Sequence, residues 1–378
     1  MAAVVYPRVR RVVFVNRYFH PDHSATSQMA SDLAFHLASR GWEVAAITSR
    51  QRYDDARANL RSGTEDGVRI ERIWSTRFGR AGLIGRAFDY ATFYLSAFFA
   101  IRREIRRERG ATIIAMTDPP LLSVVAALAS RDVVNWTQDL FPEVAQALGI
   151  RVPRFVQRIR DWSLRKARAN VVLGELMARR VPKATVIHNW AGAAGFSPPE
   201  NGRLKPAAPR FVVGYSGNLG RAHDAETIAA AIRLLPDVKF VFTGGGAKLS
   251  LIRDLNVEIR PYVAREQLEV SLSSVDVHLV SLLPQLEGLI VPSKFYGVLA
   301  VGRPVIFLGA RDGELARVIE ESRCGLVAET ADQLASAIRE LKENPEEAEA
   351  MGSRGRALYL ARFAPEHAFA AWERVLSG

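Results

Sequence analysis

The sequence predicts an α/β protein built from two doubly wound, Rossmann-like domains that face a central cleft. Short apolar runs alternate with longer segments of 3.6-residue periodicity, which is typical of a parallel sheet covered by helices on both faces. The alternation stops in a polar, proline-rich stretch and then starts again. With 378 residues, 48% of them hydrophobic, the chain is long enough for two cores of ordinary size.

The first domain is predicted to span residues 1–190. Its apolar runs are VVFVN, EVAAIT, VRIERIW, TIIAM, VVNW and NVVLG, and a first helix is expected near residues 27–40. The start of the chain, MAAVVYPRVRRVVFVNRYF, is basic and apolar, but it opens this regular pattern and lacks a cleavage-type ending. We therefore interpret it as the first strand and not as a signal sequence.

The second domain is predicted to span residues 209–362, after a linker at residues 191–208. The pattern restarts with FVVGYSG, a helix near residues 224–235, KFVFTGGG, VEIRPYV, VDVHLVSLL and PVIFLG. A last helix, residues 363–378, is expected to cross back onto the first domain. Because doubly wound sheets bind ligands at the carboxyl ends of their strands, the cleft between the domains is the expected site.

Charge and cysteine content narrow the class of partner. The formal charge of +11 and the pI near 10.1 favour an anionic partner, although an arginine-rich composition from a GC-rich genome would also produce them. No recognisable nucleic-acid module accompanies the arginines, which leaves anionic lipid or a phosphorylated small molecule and argues against nucleic acid. The single cysteine, Cys324, excludes a disulfide framework and a cysteine-based zinc cluster, and fits a cytoplasmic protein.

Residues 81–110 interrupt the soluble pattern with an apolar, aromatic-rich segment that runs into RREIRRER. The apolar part contains Arg86 and Asp89 and is shorter than the roughly 20 clean residues that a membrane span requires. A helix of this kind suits the interface of an anionic membrane, where rings enter the acyl boundary and arginines meet headgroups. The alternative is a core helix with a solvated basic end.

Glycine-containing turns follow several predicted strands of the second domain. GYSGNLGR (214–221) and TGGGAK (243–248) match neither a dinucleotide fingerprint nor a P-loop, and each alone is compatible with a tight strand-to-helix turn. Together with Arg221 and Lys294 they place two cations beside free backbone amides, which suits one diphosphate. No Asp-x-Asp occurs in a fitting place, so we expect no metal and no cofactor besides the substrate.

Four stretches of the second domain, two of them these glycine turns, resemble one known family. YSGNLG, FTGGGAK, LEGLIVPSKFYGVLAVGRPVIF and GELARVIEESRCGLV are similar to the donor-binding domain of retaining GT-B glycosyltransferases of family 4. NRYFHPDHSATSQMASDLAFHLASRGWEVAAITS is similar to the acceptor domain of the branch that builds bacterial exopolysaccharide, O-antigen and colanic-acid-type units on a polyprenyl diphosphate carrier. The resemblance covers nearly the whole chain.

The resemblance implies a UDP- or GDP-sugar donor whose diphosphate is held by Arg221 and Lys294. Glu287 matches the acidic residue that contacts the sugar. The other implied donor contacts are residues of the glycine loops and of the base site: Gly217, Asn218, Gly220, Gly244, Pro261, Tyr262, Gly288, Leu289, Ile290 and Ser293. The chain departs from the family at Gly297, where a carboxylate commonly binds the ribose, and Glu287 is shifted by two residues from the usual spacing.

On the acceptor side the resemblance implies Asp139, in NWTQDLFPE, and His23, Ser24 and Thr26, in PDHSATSQ. Gln138 stands where the family often has histidine, and Asp139 could instead cap a helix. No residue is convincingly placed as a covalent nucleophile. This fits same-face attack, in which the leaving phosphate takes the acceptor proton.

The function expected from the sequence is retaining transfer of a sugar to a polyprenyl-diphosphate-linked saccharide at the cytoplasmic face of the membrane. Two alternatives stay open at this point. One is a nucleotide-sugar epimerase of similar two-domain build, and the other is a non-catalytic subunit that binds a nucleotide sugar. The loss of the carboxylate at Gly297 keeps the second alternative open.

Overall fold

The computed structural model describes residues 10–79, 82–108, 110–192 and 211–378. The predicted linker at residues 191–208 lies outside the described residues from residue 193 onward. Within the described ranges the chain forms two sheets of eight and six strands, and every strand pair except the β3–β4 pair is parallel. The predicted fold class, two Rossmann-like α/β domains, is confirmed.

The first sheet has the order β3-β4-β2-β1-β5-β6-β7-β8. Its strands are β1 (Arg11–Val15), β2 (Glu43–Ser49), β3 (Gly63–Glu65), β4 (Val68–Ile73), β5 (Thr112–Ala115), β6 (Val133–Trp136), β7 (Ala169–Val172) and β8 (Ala184–Val186). Its helices are α1 (Ala25–Ser39), α2 (Leu83–Arg107), α3 (Leu122–Ala129), α4 (Glu143–Ala147), α5 (Arg154–Lys166) and α6 (Glu175–Ala178). Helix α1 covers one face, and α2 and α3 cover the other, because alternate strand residues such as Phe14 and Val13 enter separate cores.

The second sheet has the order β11-β10-β9-β12-β13-β14. Its strands are β9 (Val212–Ser216), β10 (Lys239–Thr243), β11 (Val257–Arg260), β12 (Val277–Ser281), β13 (Val305–Leu308) and β14 (Gly325–Ala328). Its helices are α7 (Ala225–Arg233), α8 (Leu268–Ser273), α9 (Lys294–Ala300), α10 (Glu314–Ser322), α11 (Ala331–Glu343) and α12 (Pro345–Leu358). Short 3₁₀ turns occupy Leu249–Leu251, Arg265–Gln267 and Pro284–Leu286.

The last helix, α13 (Pro365–Ser377), follows a π-helical turn at Tyr359–Phe363 and packs on the first sheet. Trp372 and Phe369 belong to the same core as Trp136 and Trp190, with ring centroids of Trp136 and Trp372 4.7 Å apart. The chain therefore returns from the second sheet to the first. The predicted domain boundaries themselves stay predictions.

The strand orders reverse between β1 and β5 in the first sheet and between β9 and β12 in the second. At such a switch point the chain leaves neighbouring strands in opposite directions, and a crevice opens at their carboxyl ends. The segments that follow β1, β6 and β7 contact the second sheet's loops directly, as described below. Both crevices therefore open into one cleft.

Candidate active site

Three contacts between the two domains define the cleft from one end to the other. The ring of His23, after β1, lies 6.0 Å from the ring of Tyr262, after β11. In the middle, Asp139, after β6, forms an antiparallel bridge with Ile290. At the far end, the Glu314 carboxylate of α10 accepts hydrogen bonds from the backbone N–H groups at the start of α6, at 2.9 and 3.0 Å.

Lys294, at the start of α9, reaches the loop that follows β9. Its ammonium donates to the hydroxyl of Tyr215 and to the carbonyl of Asn218 at 3.5 Å, and lies 3.8 Å from the centroid of the Tyr215 ring. No carboxylate partner for Lys294 is found among the residues described. Burial therefore lowers the pKa of Lys294 to about 7, which marks it as a cation without its counter-charge.

The glycine loops lie against this ammonium. Gly217 has φ of 109° and presents its Cα side to the end of the Lys294 side chain, 3.7–3.9 Å from where a Cβ would lie. Gly244 has φ of 135°, and a side chain there would collide with the Gly217 carbonyl. Gly217 is required by its positive φ, and Gly244 is required both by its positive φ and by the close approach of the Gly217 carbonyl.

The remaining predicted diphosphate residues lie in the same loop. Asn218 is exposed, and Gly220 packs against its side chain. Arg221 follows with an exposed side chain, so it is free to move toward a ligand. His223 comes next, half-buried, with its Nδ1 2.5 Å from the Ser281 carbonyl oxygen. Burial and the charge of Lys294 lower the pKa of His223 to about 3, so this ring is neutral at pH 7.

Sequence reasoning missed Tyr215 and His223. Both surround the Lys294 ammonium, and Tyr215 also donates to the Asn218 carbonyl at 3.1 Å. The available signal was the tyrosine near the carboxyl end of a buried strand, in GYSG, because ligands of such sheets bind at that end.

Tyr262 and Pro261 occupy the exposed loop after β11. The Tyr262 ring packs against Gly245, where an added Cβ would lie 3.0 Å from the ring. This loop is also fixed from the first domain, because Nη2 of Arg265 donates to both carboxylate oxygens of Asp32 at 2.7 Å. Asp32 is 6% exposed and accepts a third hydrogen bond from Nε1 of Trp190 at 3.1 Å. Sequence reasoning gave no role to Asp32 or Arg265.

Among the described residues, the side chains of Glu287 and Lys294 have no hydrogen-bond partner in common. Oε2 of Glu287 accepts the backbone N–H of Glu314 at 3.2 Å, and its Oε1 is buried without a hydrogen-bond partner. Burial and the neighbouring Glu314 and Asp312 raise the pKa of Glu287 to about 7. Glu287 therefore stands at the start of α10, and its contact with a donor sugar stays a prediction.

The loop after Glu287 forms the middle of the cleft. Gly288 packs against Leu176 and Arg180 of the first domain, and the Leu289 carbonyl accepts the Leu140 N–H at 3.0 Å. Ser293 precedes α9 and makes no side-chain cap hydrogen bond. These backbone contacts hold residues 288–290 beside Asp139.

Gly297 lies inside α9, buried against α8. A Cβ built there would lie 3.2 Å from Cδ1 of Leu272, so Leu272 occupies the direction that a carboxylate at this position would take. Where the family pattern has a carboxylate, this chain therefore has glycine packed against an apolar side chain.

Asp139 is surrounded by the walls of the cleft, while its carboxylate stays accessible to solvent. Desolvation by the surrounding cleft walls and the nearby charge of Asp118 raise the pKa of Asp139 to about 6. Among the described residues its carboxylate has no hydrogen-bond donor, so it caps no helix. The neighbouring Gln138 is 7% exposed and exchanges two hydrogen bonds with Asn189, at 2.9 and 3.1 Å. Gln138 is therefore occupied within the first domain.

The predicted acceptor residues lie at the start of α1. His23 is exposed, Thr26 is half-buried, and the buried hydroxyl of Ser24 has no hydrogen-bond partner. Side-chain ligand atoms of Asp22, His23 and Asp54 lie within 4.8 Å of one another. Asp22, however, already accepts the backbone N–H groups of Ser24 and Tyr53, at 2.8 and 2.5 Å, so its carboxylate shapes the loop.

Two family models match the chain. The glycosyl transferase 4-like domain matches residues 24–190, and a glycosyl transferase-like model matches residues 221–374. One model falls on each sheet, and together they cover most of the chain. The chain therefore belongs to the glycosyltransferases of the GT-B fold and the family-4 type, as the sequence motifs indicated.

Individual proteins agree with this assignment. The probable glycosyltransferase WbjE of Pseudomonas aeruginosa is 29% identical over 266 residues, which span 62% of this chain and 66% of WbjE. Sucrose-phosphate synthase (tll1590) from Thermosynechococcus elongatus has a TM-score of 0.76 at 17% identity, and the match covers 97% of this chain and 98% of the synthase chain. Alr3699/HepE of Anabaena, solved with UDP and glucose, has a TM-score of 0.69 at 16% identity, covering 98% and 100%. The two structures confirm the fold.

Proposed function

We propose that the protein transfers a sugar, with retention of anomeric configuration, from a UDP- or GDP-sugar to a polyprenyl-diphosphate-linked saccharide. The observation that carries this proposal is Lys294, a half-buried cation without a carboxylate partner among the described residues. It faces the Gly217 loop at the switch point of the second sheet, where α/β sheets bind ligands. A diphosphate supplies the missing negative charge.

The donor is placed along the cleft by this assignment. With the diphosphate between Lys294 and Arg221, the base extends toward Tyr262 and the sugar toward residues 288–290. The UDP and glucose bound to Alr3699/HepE support a nucleotide-sugar donor for this fold. With Leu272 against Gly297, ribose hydroxyls receive no carboxylate from α9 and bind water or backbone groups.

The chemistry follows from charge separation. As the bond between the sugar and the diphosphate breaks, Lys294 and Arg221 stabilise the growing negative charge on the leaving group without a metal. The leaving phosphate takes the proton of the acceptor hydroxyl on the same face. Asp139, with its accessible carboxylate and a pKa of about 6, orients that hydroxyl or the transferred sugar from the opposite wall.

Nucleotide-sugar binding is expected to weaken above pH 7. In the free protein Lys294 loses its proton near pH 7, whereas a bound diphosphate stabilises the charged form, so binding takes up a proton at higher pH. The Kd of a UDP-sugar, whose diphosphate does not titrate in this range, should rise by about tenfold per pH unit above 7. Calorimetry between pH 6 and 9 measures this, and a Lys294→Met variant should show a flat profile. A flat profile in the unsubstituted protein would contradict the assignment.

The protein is proposed to act at the cytoplasmic face of the membrane, and α2 is the docking element. Among the described residues, no helix combines the length and the apolar character that crossing a bilayer requires. One outward stripe of α2 is apolar, with Ile84, Phe88, Leu95 and Phe99 exposed by 57–77%. The spacing of four, seven and four residues places them on a single helix face.

The same stripe becomes basic toward the end of α2. Arg102 and Arg106 continue its spacing, and no carboxylate partner is found for either among the described residues. Arg103 and Arg107, off the stripe, pair with Glu71 and Glu108. An apolar stripe that ends in arginines without a described carboxylate partner matches the acyl boundary and anionic headgroups of a membrane.

Asp89 explains how an acidic residue fits into this helix. It is fully buried and accepts hydrogen bonds from the Thr76 hydroxyl and the backbone N–H groups of Phe78 and Gly79, at 2.7–3.0 Å. The carboxylate thus faces the protein and fixes α2 with its apolar stripe outward.

Replacing Phe88, Leu95 and Phe99 together with serine is expected to weaken binding to phosphatidylglycerol vesicles by at least about tenfold, because the apolar contribution of burial is lost. Vesicle co-sedimentation of the full chain measures this. Leu360→Ser, an exposed apolar residue of the second domain, is the matched control. Vesicle binding that is equal in the triple variant and the control would contradict the docking role of α2.

The stereochemistry of the product tests the proposed reaction. Incubation with a UDP- or GDP-sugar of α configuration and a polyprenyl-diphosphate-linked saccharide should yield an α-linked product, read from the anomeric proton coupling in the NMR spectrum. A β-linked product would overturn retention while leaving sugar transfer itself in place.

A further inference from the structure

A cavity of about 330 Å³ lies in the cleft at the end opposite to Tyr262. It is formed by side chains of both domains, from α6 on one side and from the start of α10 on the other. Its lining residues are Leu176, Arg179, Arg180, Glu287, Asp312 and Arg317.

The cavity is separate from the diphosphate position. In the first sheet β7 follows β6 outward, and in the second β13 follows β12. The contact between α6 and Glu314 therefore lies one strand beyond the Asp139–Ile290 bridge, on the side away from His23 and Tyr262. A base, a diphosphate and a sugar laid along the cleft reach the cavity only with the sugar or with what the sugar is joined to.

The cavity carries positive charge that no described carboxylate pairs. Arg179 and Arg180 are exposed, and Arg317 is half-buried with a hydrogen bond to the Asp312 carbonyl at 2.7 Å. No ion pair between these three arginines and a carboxylate is found in the described part of the chain. Guanidinium groups that converge from two domains are suited to bind one carboxylate or phosphate.

Acceptors for hydroxyl groups lie beside these arginines. Oε1 of Glu287 is buried without a hydrogen-bond partner and lies next to Gly313, where a Cβ would collide with it. A buried oxygen in this state gains from a donor that a ligand brings. Asp312 adds a second, exposed carboxylate. The volume is at the lower end of the range of small-molecule sites, about 300–1,000 Å³, and suits a single sugar ring with one substituent.

We propose that this cavity is a subsite for a saccharide unit that carries a carboxylate or phosphate group. The anion binds Arg179, Arg180 and Arg317, and ring hydroxyls donate to Glu287 and Asp312. The proposal rests on the proposed function, because it takes the cleft as the place of sugar transfer. The anionic unit belongs either to the acceptor saccharide, as a uronic acid, or to a free sugar phosphate.

Calorimetry of the full chain with methyl glucuronide, glucose 6-phosphate, methyl glucoside and inorganic phosphate tests the proposal. At least one of the two anionic sugars should bind at least tenfold more tightly than methyl glucoside and inorganic phosphate. The Arg179→Gln, Arg317→Gln double variant should lose that preference. Arg311→Gln, an exposed arginine next to the cavity that pairs with Glu320 and Glu329, should keep it, as should Lys294→Met.

Preference for the glucuronide would assign the site to the acceptor saccharide, and preference for the phosphate would assign it to a free sugar phosphate. Equal binding of inorganic phosphate, an unchanged double variant, or loss of binding in Lys294→Met would overturn the subsite. The measurement needs neither donor nor turnover, so its failure is distinct from a failure of sugar transfer.

Discussion

Lys294→Ala is expected to lower kcat/KM for the nucleotide sugar by about 10²–10³-fold. The ammonium lies beside the Gly217 loop, where the proposed mechanism places the growing charge of the leaving diphosphate. Removal of one positioned donor to such a charge usually has an effect of that size. Steady-state release of nucleoside diphosphate, in the presence of the lipid-linked acceptor, measures it. The loss should appear in KM as well as in kcat, because the ammonium binds the diphosphate of the donor and stabilises the larger charge of the transition state.

Folding separates this effect from a structural one. Because Lys294 is half-buried without a described carboxylate partner, its removal should leave the midpoint of urea unfolding unchanged or raised. Lys342→Ala, which removes a surface lysine paired with Asp237, is the matched control and should keep full activity. Activity within threefold of the unsubstituted protein in Lys294→Ala would remove Lys294 from the mechanism.

Arg265→Gln is expected to raise the Kd of the nucleotide sugar by about a hundredfold. Without the guanidinium, the carboxylate of Asp32 stays buried in the closed cleft with Trp190 as its described partner. Removing one partner of a buried ion pair in this way destabilises the closed cleft by about 3 kcal/mol. This is the lower end of the usual range, since a third of the Arg265 side chain is exposed. The loop with Tyr262 then loses its tie to α1, and the cleft opens.

Two measurements follow the loop and the cleft separately. Calorimetry gives the Kd, and small-angle scattering should show a larger radius of gyration for Arg265→Gln. Arg260→Gln is the control, because Arg260 pairs with Glu258 within the second domain and does not cross the cleft. An unchanged Kd together with an unchanged radius of gyration would show that the Asp32 pair does not hold the cleft closed.

The fold could be predicted because its signals are local. The central strands of the second sheet are apolar runs such as VHLVS of β12, and turn residues separate them from the helices that follow. The site at the switch point of the second sheet was predicted in the same way, because Gly217 directly follows β9 and Lys294 begins α9. The two residues lie close together in the structure, and their role in binding a donor stays a prediction.

Contacts across the cleft could not be predicted from the sequence. The pairs Asp32–Arg265 and Glu175–Glu314 join residues 233 and 139 positions apart, and their meeting depends on how two separate sheets face each other. Glu287 shows the consequence. Its motif indicated a sugar contact, which stays a prediction. The hydrogen bond that its carboxylate accepts from the N–H of Glu314, 27 positions along the chain, could not be predicted from its sequence neighbours.

The central claim is that this cleft moves a sugar from a nucleotide to a lipid-linked acceptor, and one measurement tests it most directly. The purified chain is incubated with a panel of UDP- and GDP-sugars, with and without polyprenyl-diphosphate-linked saccharide, and nucleoside diphosphate and lipid-linked product are quantified together. We predict acceptor-dependent release of one nucleoside diphosphate per sugar transferred, lost in Lys294→Ala. Donor binding without release would instead indicate a non-catalytic subunit, and acceptor-independent conversion of the donor would indicate an epimerase; either result would contradict the claim.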